Sequence, residues 1–156
     1  MNKAKVCCGI SVLLLLMLPL AADANGKGHI LLLWQHSDFK SLLSSELQDT
    51  APDGYSVTAV DDYSQVKKAD FNGYNGVIII NRGMAGHMNG KAKQRIKESA
   101  DAHIVSVTTF GNPDTSKDDL SGYSQVDAVT TASLQDRGKT RELALEIWRL
   151  VEKAQE

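Results

Sequence analysis

Few side chains in this sequence are placed for covalent or metal chemistry. The four histidines, His29, His36, His87 and His103, are scattered, with no H-x-x-x-H spacing and no carboxylate pairing, so no metal site is read from them. There is no G-x-S-x-G turn for a serine nucleophile. Ser37 would need His87 or His103 as its base, and neither stands in an Asp-x-x-His pairing, which leaves hydrolysis a minor alternative. Two loops are better suited to holding a ligand than to attacking one. In Asn81-Arg82-Gly83-Met84-Ala85-Gly86-His87, two glycines let backbone come close to a flat ring. Met84 adds an apolar face there, and Arg82 is either a partner for an anionic ligand or a solvated charge on an exposed turn. In Thr108-Thr109-Phe110-Gly111-Asn112-Pro113-Asp114, Phe110 either stacks on a ring or packs beneath its own loop, and Gly111 can lend a backbone amide.

Strand ends position both loops. Residues 29–34 (HILLLW) form a continuous apolar run, the pattern of a strand buried on both faces. Ser37 or Asp38 can cap a helix starting near Phe39, with Phe39, Leu42, Leu43 and Leu47 as its core stripe. Ala51-Pro52-Asp53-Gly54 is a turn into an alternating edge strand, residues 55–60. Residues 61–70 read as a short polar helix or turn, and 77–80 (VIII) as a central strand ending in the first ligand loop. A helix is expected over 90–101, with Ala92, Ile96 and Ala100 inward. Residues 104–109 and 126–131 are the fourth and fifth strands. A last helix over 141–155 is expected to build its inner face from Leu143, Leu145, Ile147, Trp148, Leu150 and Val151.

Strand and helix alternate with crossovers too long for hairpins, which predicts an α/β three-layer sandwich: a parallel sheet with helices on both faces. Five strands match the order 2-1-3-4-5 of one common open α/β arrangement, in which ligands sit beyond the carboxyl ends of the strands. No convincing helix stands between strands four and five. Residues 111–125, rich in Asp, Ser and Gly, are either a lid over that crevice or the remnant of a lost element.

The amino terminus bears on compartment. Lys3 and Lys5 precede an almost unbroken apolar core over residues 10–20, and Ala22-Asp23-Ala24 supplies small residues of the kind a signal peptidase reads. Cleavage after Ala24 is expected, giving a periplasmic or secreted domain over 25–156. An apolar core of about a dozen residues is short of the ~20 needed to span a bilayer, so no membrane insertion is expected after cleavage. Cys7 and Cys8 leave with the signal, and with them any disulfide or thiolate chemistry. The remaining chain, with 17 basic and 19 acidic residues before processing, is close to neutral. That balance argues against nucleic acid or an anionic membrane as the main partner.

In this order of elements the chain resembles the flavodoxin-like superfamily over residues 29–154. In that superfamily the loop after the first strand cradles the FMN phosphate, and the loops after the third and fourth strands flank the isoalloxazine. The resemblance implies phosphate donors at His36, Ser37 and Ser41, with Lys40 beside them. The loop here has no glycine, however, and Asp38 puts a carboxylate where a dianion would sit; on the other reading Ser37 or Asp38 only caps the helix. Implied ring contacts are Asn81, Arg82, Gly83 and Met84 from one loop, and Thr109, Phe110, Gly111, Asn112 and Asp114 from the other. Arg82 could there meet a flavin carbonyl. Residues 127–133 (DAVTTAS) are also similar to the motif of covalently flavinylated secreted proteins, but Thr131 stands in place of its glycine and Ser133 in place of its threonine. Ser133 is thus either a point of covalent flavin attachment or an ordinary residue near the start of the last helix. Two functions follow as expectations. One is an exported flavoprotein that binds FMN or a similar planar ligand for electron transfer or flavin carriage, with a redox partner. The other is a cofactor-free module whose loops contact a protein partner or a small solute.

Overall fold

The computed structural model describes residues 26–62, 64, 69–84, 87–99, 102–109, 126–132 and 137–156. The signal-like segment, residues 111–125, and Phe110, Gly111, Asn112, Asp114 and Ser133 lie outside the described residues. Strand β1, Gly28–Trp34, is the middle of the hydrophobic interior. Its side chains alternate between faces, so Ile30 and Leu32 enter one core and Leu31 and Leu33 the other, each at most 1% exposed. Burying a side chain of this size contributes roughly 1.5–3 kcal/mol, and an apolar run that does so on both faces needs a layer of structure above and below. Strand β2, Tyr55–Val60, pairs parallel on one side of β1, and β3, Gly76–Met84, on the other.

Helix α1, Asp38–Asp49, starts where Ser37 accepts a hydrogen bond from the Lys40 amide and ends where the Thr50 hydroxyl donates to Glu46 O at 2.6 Å. It lays Phe39, Leu43 and Leu47 on the sheet; Leu42, expected in that stripe, is only partly covered. The last helix, called α3 here, runs over Arg137–Lys153 and packs beside α1 on the same face. Trp148 joins the two by donating its indole N–H to Leu47 O at 2.9 Å. Leu145 was expected inward but is 41% exposed. The inner stripe is Leu143, Ala144, Ile147, Trp148 and Val151, and 100° per residue turns position 145 to the far side.

The opposite face is covered by α2, Gly90–Glu98, through Ala92 and Ile96, and by Phe71 in a short 3-10 turn, Phe71–Gly73. Helix α2 ends at Glu98, short of the expected 101, where the Ser99 hydroxyl donates to Arg95 O.

The main strands lie in the order β2-β1-β3-β5-β6, with β5 at Ile104–Thr109 and β6 at Val126–Ala132, and every neighbour along that path is parallel. The all-parallel, five-stranded expectation needs one correction. β3 does not stop at Ile80 but continues to Met84, and β4, His87–Met88, folds back on it antiparallel. Of the glycine-punctuated loop, residues 81–84 and His87 are therefore strand, and Ala85 and Gly86 lie outside the described residues. β3 can extend this far because β5 runs alongside it as far as Arg82, pairing Asn81 with Thr108 and Arg82 with Thr109, and β4 then pairs Gly83 and Met84.

Candidate functional site

The connection from β1 through β2 goes to one side of the sheet and β3 lies on the other, so the chain reverses direction between β1 and β3. Crevices at such reversals, beyond the carboxyl ends of the strands, are the usual ligand positions of open α/β sheets. Here Trp34 stands opposite Ile80, and one step beyond the β1 end come Asn81 and Arg82 on β3, Thr108 and Thr109 on β5, and Thr131 and Ala132 on β6.

Alternation divides these residues between the two faces. Asn81 follows Val77 and Ile79 toward the α2 side. It is fully buried, and its Nδ2 donates to Val107 O at 3.2 Å and to Thr108 Oγ1 at 3.1 Å. Its Oδ1 accepts from the amide of Asn89, the residue whose side chain caps α2. Asn81 thus ties together the ends of β3 and β5 and the start of α2. Thr109 adds a further tie, donating its hydroxyl to Asn81 O at 3.0 Å.

Arg82 follows Ile78 and Ile80 toward the α1 and α3 side and is exposed at the rim. Across from it, Lys40 sits in the first turn of α1 at 4% exposure, with Ser44 and Leu47 continuing the buried side of that helix. Among the described residues, none gives its ammonium a hydrogen bond or a counter-ion. Burial first, and the positive charge of Arg82 second, hold the Lys40 amine below the usual lysine range. Three polar atoms nearby in the chain are buried without a hydrogen-bond partner: Trp34 Nε1, Gln35 Oε1 and Ser41 Oγ. Unsatisfied buried polar atoms are rare in native folds and mark places where something else can bind.

No protein-family model matches the chain, and no curated protein is significantly similar to it in sequence. Solved structures do resemble it. Smu.1420 from Streptococcus mutans superposes with a TM-score of 0.52 at 11% identity, covering 80% of this chain and 99% of the other. A mutant flavo di-iron protein from Thermotoga maritima gives 0.53 at 12% identity, over 83% of this chain but only 36% of that one, so this chain matches about a third of that protein's length. The apo form of an NADH:FMN oxidoreductase gives 0.50 at 10% identity, over 82% and 88% of the two chains. The fold is flavodoxin-like.

Within the flavodoxin-like crevice, the sequence-derived candidates separate. His36 is exposed, and its Nδ1 lies 2.6 Å from Asp61 Oδ2, at the end of β2 and toward the outside of the sheet. The Ser37 hydroxyl is the α1 cap, and the Ser37 carbonyl accepts from the Ser41 amide at 2.8 Å. Two of the three expected phosphate donors, His36 and Ser37, therefore already have side-chain partners within the protein. Ser41 does not, since its hydroxyl is buried and unsatisfied. Arg82, Gly83 and Thr109 come together at the rim, whereas the buried side chain of Asn81 supports that rim from beneath. The backbone of Met84 continues β3, and Phe110, Gly111, Asn112, Asp114 and Ser133 lie outside the described residues.

Sequence reasoning passed over the indole N–H of Trp34, because an apolar run ending in tryptophan reads as core. Its position as the last residue of β1, next to the reversal, was the available signal. The burial of Lys40 left no signal in the sequence, since a lysine in a first helical turn is ordinarily exposed.

Proposed function

We propose that the crevice between β1, β3 and β5 holds a planar, flavin-type ligand such as FMN, and that the protein serves electron transfer or flavin carriage outside the cytoplasm, with a redox partner protein. The observation that carries this reading is the row formed by Arg82 and Thr109 at the rim beside the chain reversal. These are the strand ends whose loops flank the ring in the superfamily, and Asn81 holds them in fixed relation. The name of the NADH:FMN oxidoreductase, a structure of similar fold, agrees with that choice of ligand. A bound flavin would supply the redox chemistry. The chain's own residues would orient it: Arg82 toward an anionic or carbonyl group, Gly83 through close backbone approach, and Thr109 through a hydroxyl already positioned by β3. The export expected from residues 1–24 would place this chemistry in the periplasm or outside the cell.

A second reading is favoured by the β1–α1 loop. With His36 paired to Asp61, Ser37 capping α1 and Asp38 exposed in its first turn, that loop offers fewer free donors than a phosphate cradle needs. A cofactor-free module that binds a protein or small solute at the same rim accommodates this. Titration of FMN into the purified mature domain separates the two readings. Saturable quenching of flavin fluorescence is expected on the first; a colourless protein that leaves the fluorescence unchanged would remove it. Mass spectrometry after denaturation tests the covalent variant, in which a flavin increment would disappear in Ser133→Ala.

A further inference from the structure

We infer that the free edge of β2 is a docking site for an extended segment of a partner protein, one that alternates apolar and hydroxyl side chains and carries lysine or arginine at its ends. β2 is the terminal strand of the sheet and pairs, among the described residues, with β1 alone. Two hydrogen bonds fix which of its backbone groups face outward. His29 O accepts from the Asn75 amide at 2.9 Å on the β3 side, and the Gly28 amide donates to Gly54 O at 3.3 Å on the β2 side. In a parallel ladder, alternate residues turn both of their backbone groups to the same neighbour. Ser56, Thr58 and Val60 therefore bond to β1, while Tyr55, Val57 and Ala59 turn their N–H and C=O groups to the outer edge. The Tyr55 amide is taken up by Pro52 O at 3.1 Å. The backbone groups of Val57 and Ala59 are left as a template for one more strand.

Edge strands ordinarily carry a charge, a proline or a bulge that blocks such pairing. The strand YSVTAV has no charge and no proline, and its register with β1 runs unbroken from Tyr55 to Val60. Its two faces differ. Tyr55, Val57 and Ala59 lie half-buried against the core under α1 and α3, whereas on the other face Ser56 is exposed and the Thr58 hydroxyl meets His29 Nε2 at 2.7 Å. Side chains directly across a strand pair share a face. An added segment would therefore set apolar side chains beside Val57 and Ala59 and hydroxyls beside Ser56 and Thr58. Charge decides between possible occupants. Beyond Tyr55 stands exposed Asp53, and the nearby Lys27 is already engaged by Glu152 at 3.1 Å. Beyond Val60 stand exposed Asp61, paired with His36 at 2.6 Å, and exposed Asp62, which accepts from the amide and hydroxyl of Ser64. A second copy pairing through β2, in either direction, would bring carboxylates of the two copies together at both ends, where like charges destabilise. A segment with cationic ends meets the same carboxylates favourably.

The inference does not rest on the flavin reading, because β2 lies on the far side of β1 from the crevice beside β3. The probe is a dye-labelled peptide of alternating valine and threonine with lysines at both ends, titrated into the mature protein by fluorescence anisotropy. The same peptide with glutamates at its ends is the charge control. Saturable binding of the lysine-ended peptide is expected, at least about tenfold tighter than that of the glutamate-ended one. Ala59→Pro, which removes an outward amide and no bond to β1, should weaken it by at least about tenfold. Val57→Pro repeats that test should Ala59→Pro fail to fold. Asp53→Lys and Asp62→Lys should each weaken it several-fold. Amide hydrogen exchange of the wild-type complex locates the contact without any substitution: Val57 and Ala59 gain protection when the peptide is added, while Ser56 and Thr58, already bonded to β1, do not change. Absence of saturable binding to wild type, equal binding of the two peptides, binding indifferent to the proline substitutions, or protection gained elsewhere than in β2 overturns the inference. Wild-type dimers in sedimentation equilibrium that Ala59→Pro dissolves would assign the edge to a second copy and overturn it too.

Discussion

Replacing Asn81 by aspartate should turn the best-satisfied polar group of the site's framework into its weakest point, in a way that depends on pH. The substitution preserves size and shape, so no cavity contributes. It removes the Nδ2 donor, leaving a carboxylate oxygen facing Val107 O across a gap now bridged at 3.2 Å. The site has no exposure to water, and no cation among its hydrogen-bond partners. An uncompensated buried carboxylate costs about 3–5 kcal/mol, but the group can escape by taking up a proton. Holding it protonated at pH 7 against an unfolded value near 3.9 costs about 4 kcal/mol, which limits the loss. Once protonated, it donates to Val107 O much as the amide did, and only about 1 kcal/mol of lost hydrogen bonding remains. The folded pKa is thus raised above the unfolded one, and the folded state holds the extra proton. Stability should then fall as pH rises from about 4 through the raised folded value, by up to about 1.4 kcal/mol per pH unit. Urea unfolding followed by tryptophan fluorescence, for wild type and Asn81→Asp across that range, reads this directly. A deficit below about 1 kcal/mol at neutral pH, or one that does not change with pH, would refute the assignment of Asn81 as a buried tie between β3, β5 and α2.

Three further outcomes follow from the packing. Trp148→Ala should cost about 3–5 kcal/mol in urea unfolding, because the indole is 2% exposed, bonded to Leu47 O, and tilted against Tyr55 with ring centroids 5.4 Å apart; a loss near that of a surface substitution would contradict its role in joining α1 to α3. Gly54→Ala should cost about 1–2 kcal/mol, since Gly54 has φ +90° and a Cβ there would lie 3.1 Å from Lys27 N. Gly73→Ala, where a Cβ meets nothing within 4 Å, is the control and should stay within about 0.5 kcal/mol of wild type. The folded pKa of Lys40 is lowered from 10.5, so the unfolded chain binds the extra proton in the window below that value, and stability should rise with pH across it. Tyr55, raised from 10.0 by burial and then by Glu152 against an opposing effect of Lys27, contributes the opposite slope at the upper end. The difference between wild type and Lys40→Met isolates the lysine; parallel pH profiles would show that Lys40 is not desolvated.

Much of the fold was legible because its signals are local. Runs such as HILLLW and VIII can be buried only on both faces, and long crossovers allow only parallel pairing, so a parallel sheet covered on both faces followed from hydrophobic pattern and connection length, and the strand order from the flavodoxin-like resemblance. The errors lie where a distant neighbour decides. β3 continues past its apolar run because Thr108 and Val107 of β5 satisfy Asn81, and asparagine after isoleucines reads locally as the start of a loop. Leu145 is as apolar as its neighbours, and only the placement of α3 on the sheet turns it outward.

For the site, the sequence by itself determined which loops could meet a ligand, because topology puts the carboxyl ends of parallel strands at one rim whatever the side chains are. It named Arg82 and Thr109 as candidates there, and the register sets them side by side. The states of the polar groups were decided only by the tertiary structure. His36 is drawn to Asp61, Asn81 is enclosed as a framework tie, and Lys40 is buried beside a second cation with no counter-ion among the described residues. The physical reason is range. Hydrophobic periodicity acts over a few residues of chain, whereas desolvation and charge are set by whatever elements happen to close over a side chain in space.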